Sequence, residues 1–134
     1  MINVDLHNHS YYSDGFFSPA EVVKFAYEAD CDLFSLTDHD TTEGIAEAQV
    51  EADKLGIELI NGVEISAFWR NMAIHIVGLG VDINNDKLLT GLAHNQELRK
   101  NRAEKIALSL WRAGIKDSLE KAQSLSKGYM LTRT

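Results

Sequence analysis

Apolar and polar positions along the first eighty residues fall into short blocks whose period switches back and forth between that of a strand and that of a helix. Asn3 to His7 is short and β-prone. Ser18-Pro19 then supplies an N-cap followed by proline at the first helical position, which predicts a helix running to about Ala29. Cys31 to Thr37 (CDLFSLT) is a mostly apolar run of strand length, and Thr41 or Thr42 is placed to cap a helix that closes at Gly56. Ile57 to Ile60, Val63 to Phe68 and Ala73 to Val81 read as three more strands. Alternation at these lengths predicts parallel βαβ units in an α/β fold, with ligands gathered at the carboxyl ends of the strands. The pattern leaves open sheet and barrel undistinguished.

From Asp86 to Ala113 the period becomes helical, through Leu88, Leu92, Ile106, Leu110 and Trp111, with Gly114 as a stop and Gly91 as a weak point in any unbroken helix. A second helical stretch covers roughly Lys116 to Lys127 and ends at Gly128, ahead of a tail from Tyr129 to Thr134. No internal repeat or linker divides the chain. Its 134 residues suit one domain, with strand-bearing units over residues 1–82 and a mainly helical part over 83–134.

Composition narrows the setting. The single cysteine, Cys31, allows no internal disulfide and no thiolate-rich metal site, so a reducing, cytoplasmic environment is expected. No apolar run approaches the ~18 to 20 residues that span a bilayer, and Met1 leads into a strand-like segment rather than a signal peptide, so no membrane partner is expected. The net charge of -7 is uneven: residues 1–85 set three basic side chains against fifteen acidic ones, whereas residues 86–134 set ten against five. The acidic part would repel phosphates unless cations sit there, while the basic part attracts them or forms a solvated helix face.

Chemistry concentrates at the predicted strand ends. His7 and His9 flank Asn8, and in an extended segment positions i and i+2 share a face, so both imidazoles can reach one metal. Thr37-Asp38-His39-Asp40 follows the apolar second strand. Capping of the next helix explains Asp40 in that cluster but not Asp38 or His39. Asp14 lies in the loop after the first strand, Glu64 opens the β-like run after Gly62, and His75 interrupts an apolar strand. Singly, Asp14 fits a turn before Gly15 and His75 fits a hydrogen-bonded core histidine. Together the set offers imidazole and carboxylate without thiolate, which favours zinc, manganese or iron, and a carboxylate such as Glu64 can bridge two ions. His94, in the basic helical part, stands apart.

The segments His7-Asn8-His9-Ser10, Ser13-Asp14-Gly15, Leu36-Thr37-Asp38-His39-Asp40-Thr41, Gly62-Val63-Glu64-Ile65-Ser66 and Ile74-His75-Ile76-Val77-Gly78 resemble, in order and spacing, the PHP (polymerase and histidinol phosphatase) family. The likeness is strongest to its small bacterial nucleotide-bisphosphate phosphatases and 5'-to-3' exonucleases. It implies the N-terminal half of a distorted (β/α)7 TIM-like barrel whose strand ends hold up to three divalent cations, with manganese first and iron or zinc as alternatives. His7 and His9 would hold one ion, Glu64 would bridge it to a second that His75 also binds, and Asp14 with His39 would hold a third. The resemblance thus makes Glu64, His39 and Asp14 both ligands and the catalytic set. Asp38 and Asp40 would support from behind, and Arg133 would grip the substrate phosphate.

The same resemblance predicts an incomplete PHP domain over residues 1–134, because members of that branch run to roughly twice this length and draw further ligands from their later half. A missing C-terminal half, or self-association in its place, is the expected partner. The implied reaction is hydrolysis of phosphate monoesters or of the 5' ends of nucleotides and short nucleic acids. The basic stretch Arg99, Lys100, Arg102 and Lys105 favours such a substrate over histidinol phosphate, through charge alone. Two other readings compete: a non-catalytic metal-binding half-domain, and an amidohydrolase-type hydrolase, which also begins with a His-x-His pair.

Overall fold

The computed structural model describes residues 2–70, 72–126 and 130–131. Eight elements follow in order: β1 (Val4–Asn8), α1 (Pro19–Glu28), β2 (Leu33–Leu36), α2 (Ile45–Leu55), β3 (Glu58–Trp69), β4 (Met72–Leu79), α3 (Asp86–Arg112) and α4 (Ser118–Leu125). The strands form one four-stranded sheet in sequence order. The α/β class holds, and β1, β2 and β3 are parallel as the alternation predicts.

Local chemistry accounts for the helices. Ser18 and Glu21 form a reciprocal capping box around Pro19, and each satisfies a backbone N–H that the first turn of α1 would leave unpaired. At the other end of α1, the Asn3 side chain donates to the carbonyls of Ala29 and Asp30 at 3.0 and 3.1 Å, tying the helix end to β1. α2 closes at Gly56, whose φ of 75° is the left-handed conformation that glycine adopts without strain. Its start differs from expectation. Neither Thr41 nor Thr42 is the N-cap; that position is Gly44, without a side-chain cap, while the Thr41 hydroxyl accepts from the Glu43 N–H in the preceding turn.

Three further expectations are corrected. The two strands predicted over 57–60 and 63–68 are one, β3, which runs through Asn61 and Gly62 because bare backbone is needed there: a Cβ on Gly62 would lie 2.7 Å from the Leu36 carbonyl oxygen. β4 pairs antiparallel with β3, not parallel, since the short span between Trp69 and Met72 allows a hairpin but no crossover. Gly91 does not interrupt α3, which is a continuous 27-residue helix. Lys127, Gly128, Tyr129 and the end of the tail, Arg133 included, lie outside the described residues.

The core lies between the sheet and the pair α1 and α2, where Val23, Ala26, Phe34, Leu36, Ala48 and Ala52 are buried together. Each large apolar side chain removed from water there contributes on the order of 2 kcal/mol. The rest of the molecule is thinly covered. β4 leaves Met72, Ile74, Ile76 and Leu79 exposed, and α3 buries only Leu92. α3 meets the sheet through polar side chains instead, beside the site described next.

Candidate metal centre

A bulge between Asp5 and Asn8 sets two residues of β1, Leu6 and His7, against one of β2, Ser35. Such an irregularity twists a strand end and re-aims its side chains. Here it leaves the His7 and His9 rings 5.1 Å apart, as the alternation of a strand leads one to expect. The Thr37 N–H and hydroxyl both donate to the Asn8 carbonyl, which fastens the end of β2 beside His9. Beyond β2, His39 and Glu64 form a parallel bridge: the Glu64 N–H donates to the Asp38 carbonyl at 3.1 Å and the Asp40 N–H to the Glu64 carbonyl at 3.0 Å. His75 reaches the same place from β4, because it pairs with Ser66 and therefore shares the face of Glu64 two residues earlier.

Six side chains converge. The Glu64 carboxylate is nearly buried, with Oε2 2.8 Å from His7 Nε2, 3.0 Å from His9 Nε2 and 3.6 Å from His39 Nδ1, and Oε1 2.8 Å from His75 Nδ1. Asp14 Oδ1 lies 3.2 Å from His9 Nδ1, and Oδ2 lies 3.5 Å from His39 Nε2. Their donor atoms make three overlapping groups able to hold a metal ion: His7, His9 and Glu64; His9, Asp14 and His39; His39, Glu64 and His75. All six positions singled out from the sequence are therefore brought together. His94 is on the exposed surface of α3 and belongs to none of these groups.

Electrostatics follow the crowding. Hydrogen bonds to His39 and then His9 hold the Asp14 carboxyl well below the usual carboxylate range. Burial is the largest single influence on Glu64 and pushes its carboxyl up, but the hydrogen bond to His7 and the charges and bonds of His39, His9 and His75 together bring it below its ordinary value. For His9, burial pulls the imidazole down, and the bond to Asp14 with the charges of Asp14, Glu64 and Asp38 outweighs it, so its pKa is raised.

Asp38 and Asp40 occur behind this cluster. Buried Asp38 accepts from the Ser10 N–H at 2.7 Å and from the Ser10 and Ser13 hydroxyls at 2.6 Å each, which pins the loop between His9 and Asp14. Gly15 closes that loop so tightly that a Cβ there would lie 2.8 Å from the Ser10 carbonyl carbon. Asp40 accepts from the Ser66 N–H and Asn95 Nδ2 at 2.8 Å and from Arg99 Nε at 2.6 Å, while Arg99 Nη2 donates to the Ser66 hydroxyl at 2.6 Å. Arg99 is thus drawn out of the basic stretch by a buried carboxylate. Arg102, one turn further along α3, lines a cavity of about 480 Å³ with Asp14, His39, His75 and Phe68. Sequence reasoning missed Asn95 and gave Ser66 only a place in a motif; the signal for Asn95 was the recurrence of polar side chains at 95, 99 and 102 on one helix face.

The α/β sheet gathers four imidazoles and two carboxylates from β1, from the turns after β1 and β2, and from the middles of β3 and β4, and this is the donor set of a metal-binding domain. Residues 5–128 match the PHP domain, and the chain belongs to that family. It is 45% identical over 124 residues to the 5'-3' exoribonuclease of Haemophilus influenzae, covering 92% of this chain and 45% of that protein. Against the 3',5'-nucleoside bisphosphate phosphatase of Chromobacterium violaceum the identity is 46% over 115 residues, covering 86% and 40%. A solved amidohydrolase from Chromobacterium violaceum with bound sulfate superposes with a TM-score of 0.91 at 42% identity, over 98% of this chain and 46% of that one. The chain spans a little under half the length of the curated relatives it matches.

Proposed function

We propose that the six clustered side chains hold divalent metal ions and that the site hydrolyses phosphate esters of nucleotides or of the 5' ends of short nucleic acids. One observation carries the reading: four imidazoles and two carboxylates point their donor atoms at one another, and the buried His39 Nδ1 has no hydrogen-bond partner. A buried polar atom without a partner costs about 1–3 kcal/mol, which a metal in that position would offset. A neutral imidazole has one lone pair, so His9 and His39 can each serve only one of the two groups they belong to. With His9 assigned to His7 and Glu64, His39 would complete the group of Glu64 and His75 through its orphaned Nδ1, or would pair with Asp14 through Nε2. Such ions, manganese first among them, lower the pKa of water and neutralise phosphoryl charge.

The chain's own residues have separable tasks. Glu64, Asp14 and His39 hold the reacting region together, Asp38 fixes the loop that carries Asp14, and Arg102 faces a phosphate entering the cavity. Arg133, proposed for the same purpose, is outside the described residues. The sheet is read as part of a distorted barrel over an incomplete PHP domain, and the exposed β4 edge supports a further half, or a second copy, that would add ligands and cover it. The relatives named for exoribonuclease and nucleoside bisphosphate phosphatase activity support the substrate class, and the single buried Cys31 supports a reducing, cytoplasmic setting.

The direct test is release of inorganic phosphate from a nucleoside 3',5'-bisphosphate by the purified chain with manganese. The expected result is hydrolysis that is lost in His9→Ala with the circular dichroism unchanged. Activity retained by that variant would overturn the reading. Bound manganese without hydrolysis would favour a metal-binding half-domain, and cleavage of amides but not phosphate esters would favour the chemistry named for the structural relative.

A further inference from the structure

The His39 ring is held by little of its own. Its Nε2 stands 3.5 Å from Asp14, a long contact, its Nδ1 stands 3.6 Å from Glu64 without a hydrogen-bond partner, and the ring lies 4.7 Å from those of His9 and His75. A histidine serving a metal is ordinarily oriented by a hydrogen bond to its other ring nitrogen. The backbone on either side adds a firmer hold. On one side Asp38 is clamped by Ser10 and Ser13. On the other, Asp40 is fully buried with a φ of 52°, a left-handed conformation that aspartate adopts at modest cost.

What fixes it comes mainly from α3. Asn95 and Arg99 donate to the Asp40 carboxylate, Gln96 donates to its carbonyl at 2.8 Å, and Arg99 also donates to Ser66 on β3. We propose that Arg99 is a positioning residue for the metal centre: its guanidinium fork, spanning Asp40 and Ser66, locks the His39 loop against β3 and so helps to aim the imidazole. The fork does this with two donors in a fixed plane, which a lysine ammonium does not reproduce. The inference rests on the metal-binding reading above and adds to it a residue contributed by the basic helical part of the chain.

The test is a double-mutant cycle read as manganese affinity by calorimetry, with folding checked by circular dichroism. Arg99→Ala is expected to weaken binding about 10-fold or more, in the range found for groups that orient metal ligands. In a His39→Ala background the same change should add little, because the ring it positions is gone; Arg99→Lys should recover only part of the loss. Where Arg99→Ala does not fold, Arg99→Gln, which keeps one amide donor toward Asp40, takes its place in the cycle. Equal weakening with and without His39 would mean that Arg99 merely holds the fold, and unchanged affinity in Arg99→Ala would equally overturn the inference while leaving the metal centre intact. Absence of manganese binding by the parent chain would contradict both.

Discussion

Asp40 is a residue at which pH should act on the fold. Burial is the largest influence on its carboxyl and pushes it up, yet the Ser66 N–H and hydroxyl, Arg99 and Asn95 outweigh that and hold it below its ordinary value of 3.8. A carboxyl lowered by folding contributes stability that is fully present above the unfolded value and is lost as pH falls through the folded one. Thermal melts are therefore expected to fall more steeply below about pH 4 for the parent than for Asp40→Asn, while Asp40→Asn is the less stable of the two at pH 7. Parallel acid limbs would contradict this. The roles of Asp38 and Asp40 were legible only in part. The family resemblance set them behind His39, whereas local pattern offered only a cap for Asp40, and partners such as Arg99, 59 residues away, leave no local trace in the chain. His7, His9, Asp14, His39, Glu64 and His75 were legible as a set because imidazole and carboxylate without thiolate recur in or beside successive predicted strands.

At the scale of elements, strands and helices were read correctly where a local device announces them, as the Ser18-Pro19 cap and Gly56 do for α1 and α2. They were misread where the deciding contact is distant. Asn61-Gly62 looks like a break, but Gly62 is there so that β3 can lie against Leu36. The Thr41-Thr42 pair looks like a cap, but those residues belong to the turn that carries the His39 bridge toward α2. Gly91 is the useful exception: it sits inside α3 with open space around its Cα and no strained backbone. Gly91→Ala is accordingly expected to stabilise the chain by about 0.5–1 kcal/mol, seen as a higher melting temperature with manganese affinity unchanged. A lower melting temperature would mean that this face of α3 is covered.

Across the whole molecule, apolar surface and charge are both unevenly placed. β4 ends the sheet order and carries exposed Met72, Ile74, Ile76 and Leu79, close to Phe68 and Trp69 on β3, and an unprotected apolar edge invites pairing with another chain. Sedimentation velocity is expected to show association that grows with concentration and is reduced by Ile76→Lys, whose charge blunts the edge. A monomer at every concentration would count against it. Among the described residues no helix is long and apolar enough to cross a membrane, which agrees with the absence of a long apolar run.

The acidic strand-bearing part and the basic α3 meet at the cluster, which is where added cations should act. Manganese titration of the parent chain beside Glu64→Ala and His94→Ala, followed by calorimetry, tests the central claim most directly. Glu64 belongs to two of the three candidate groups and His94 to none. The account predicts saturable binding of more than one ion by the parent and by His94→Ala, and affinity lower by 10-fold or more in Glu64→Ala. Indistinguishable binding by the two variants, or none by the parent, would contradict it.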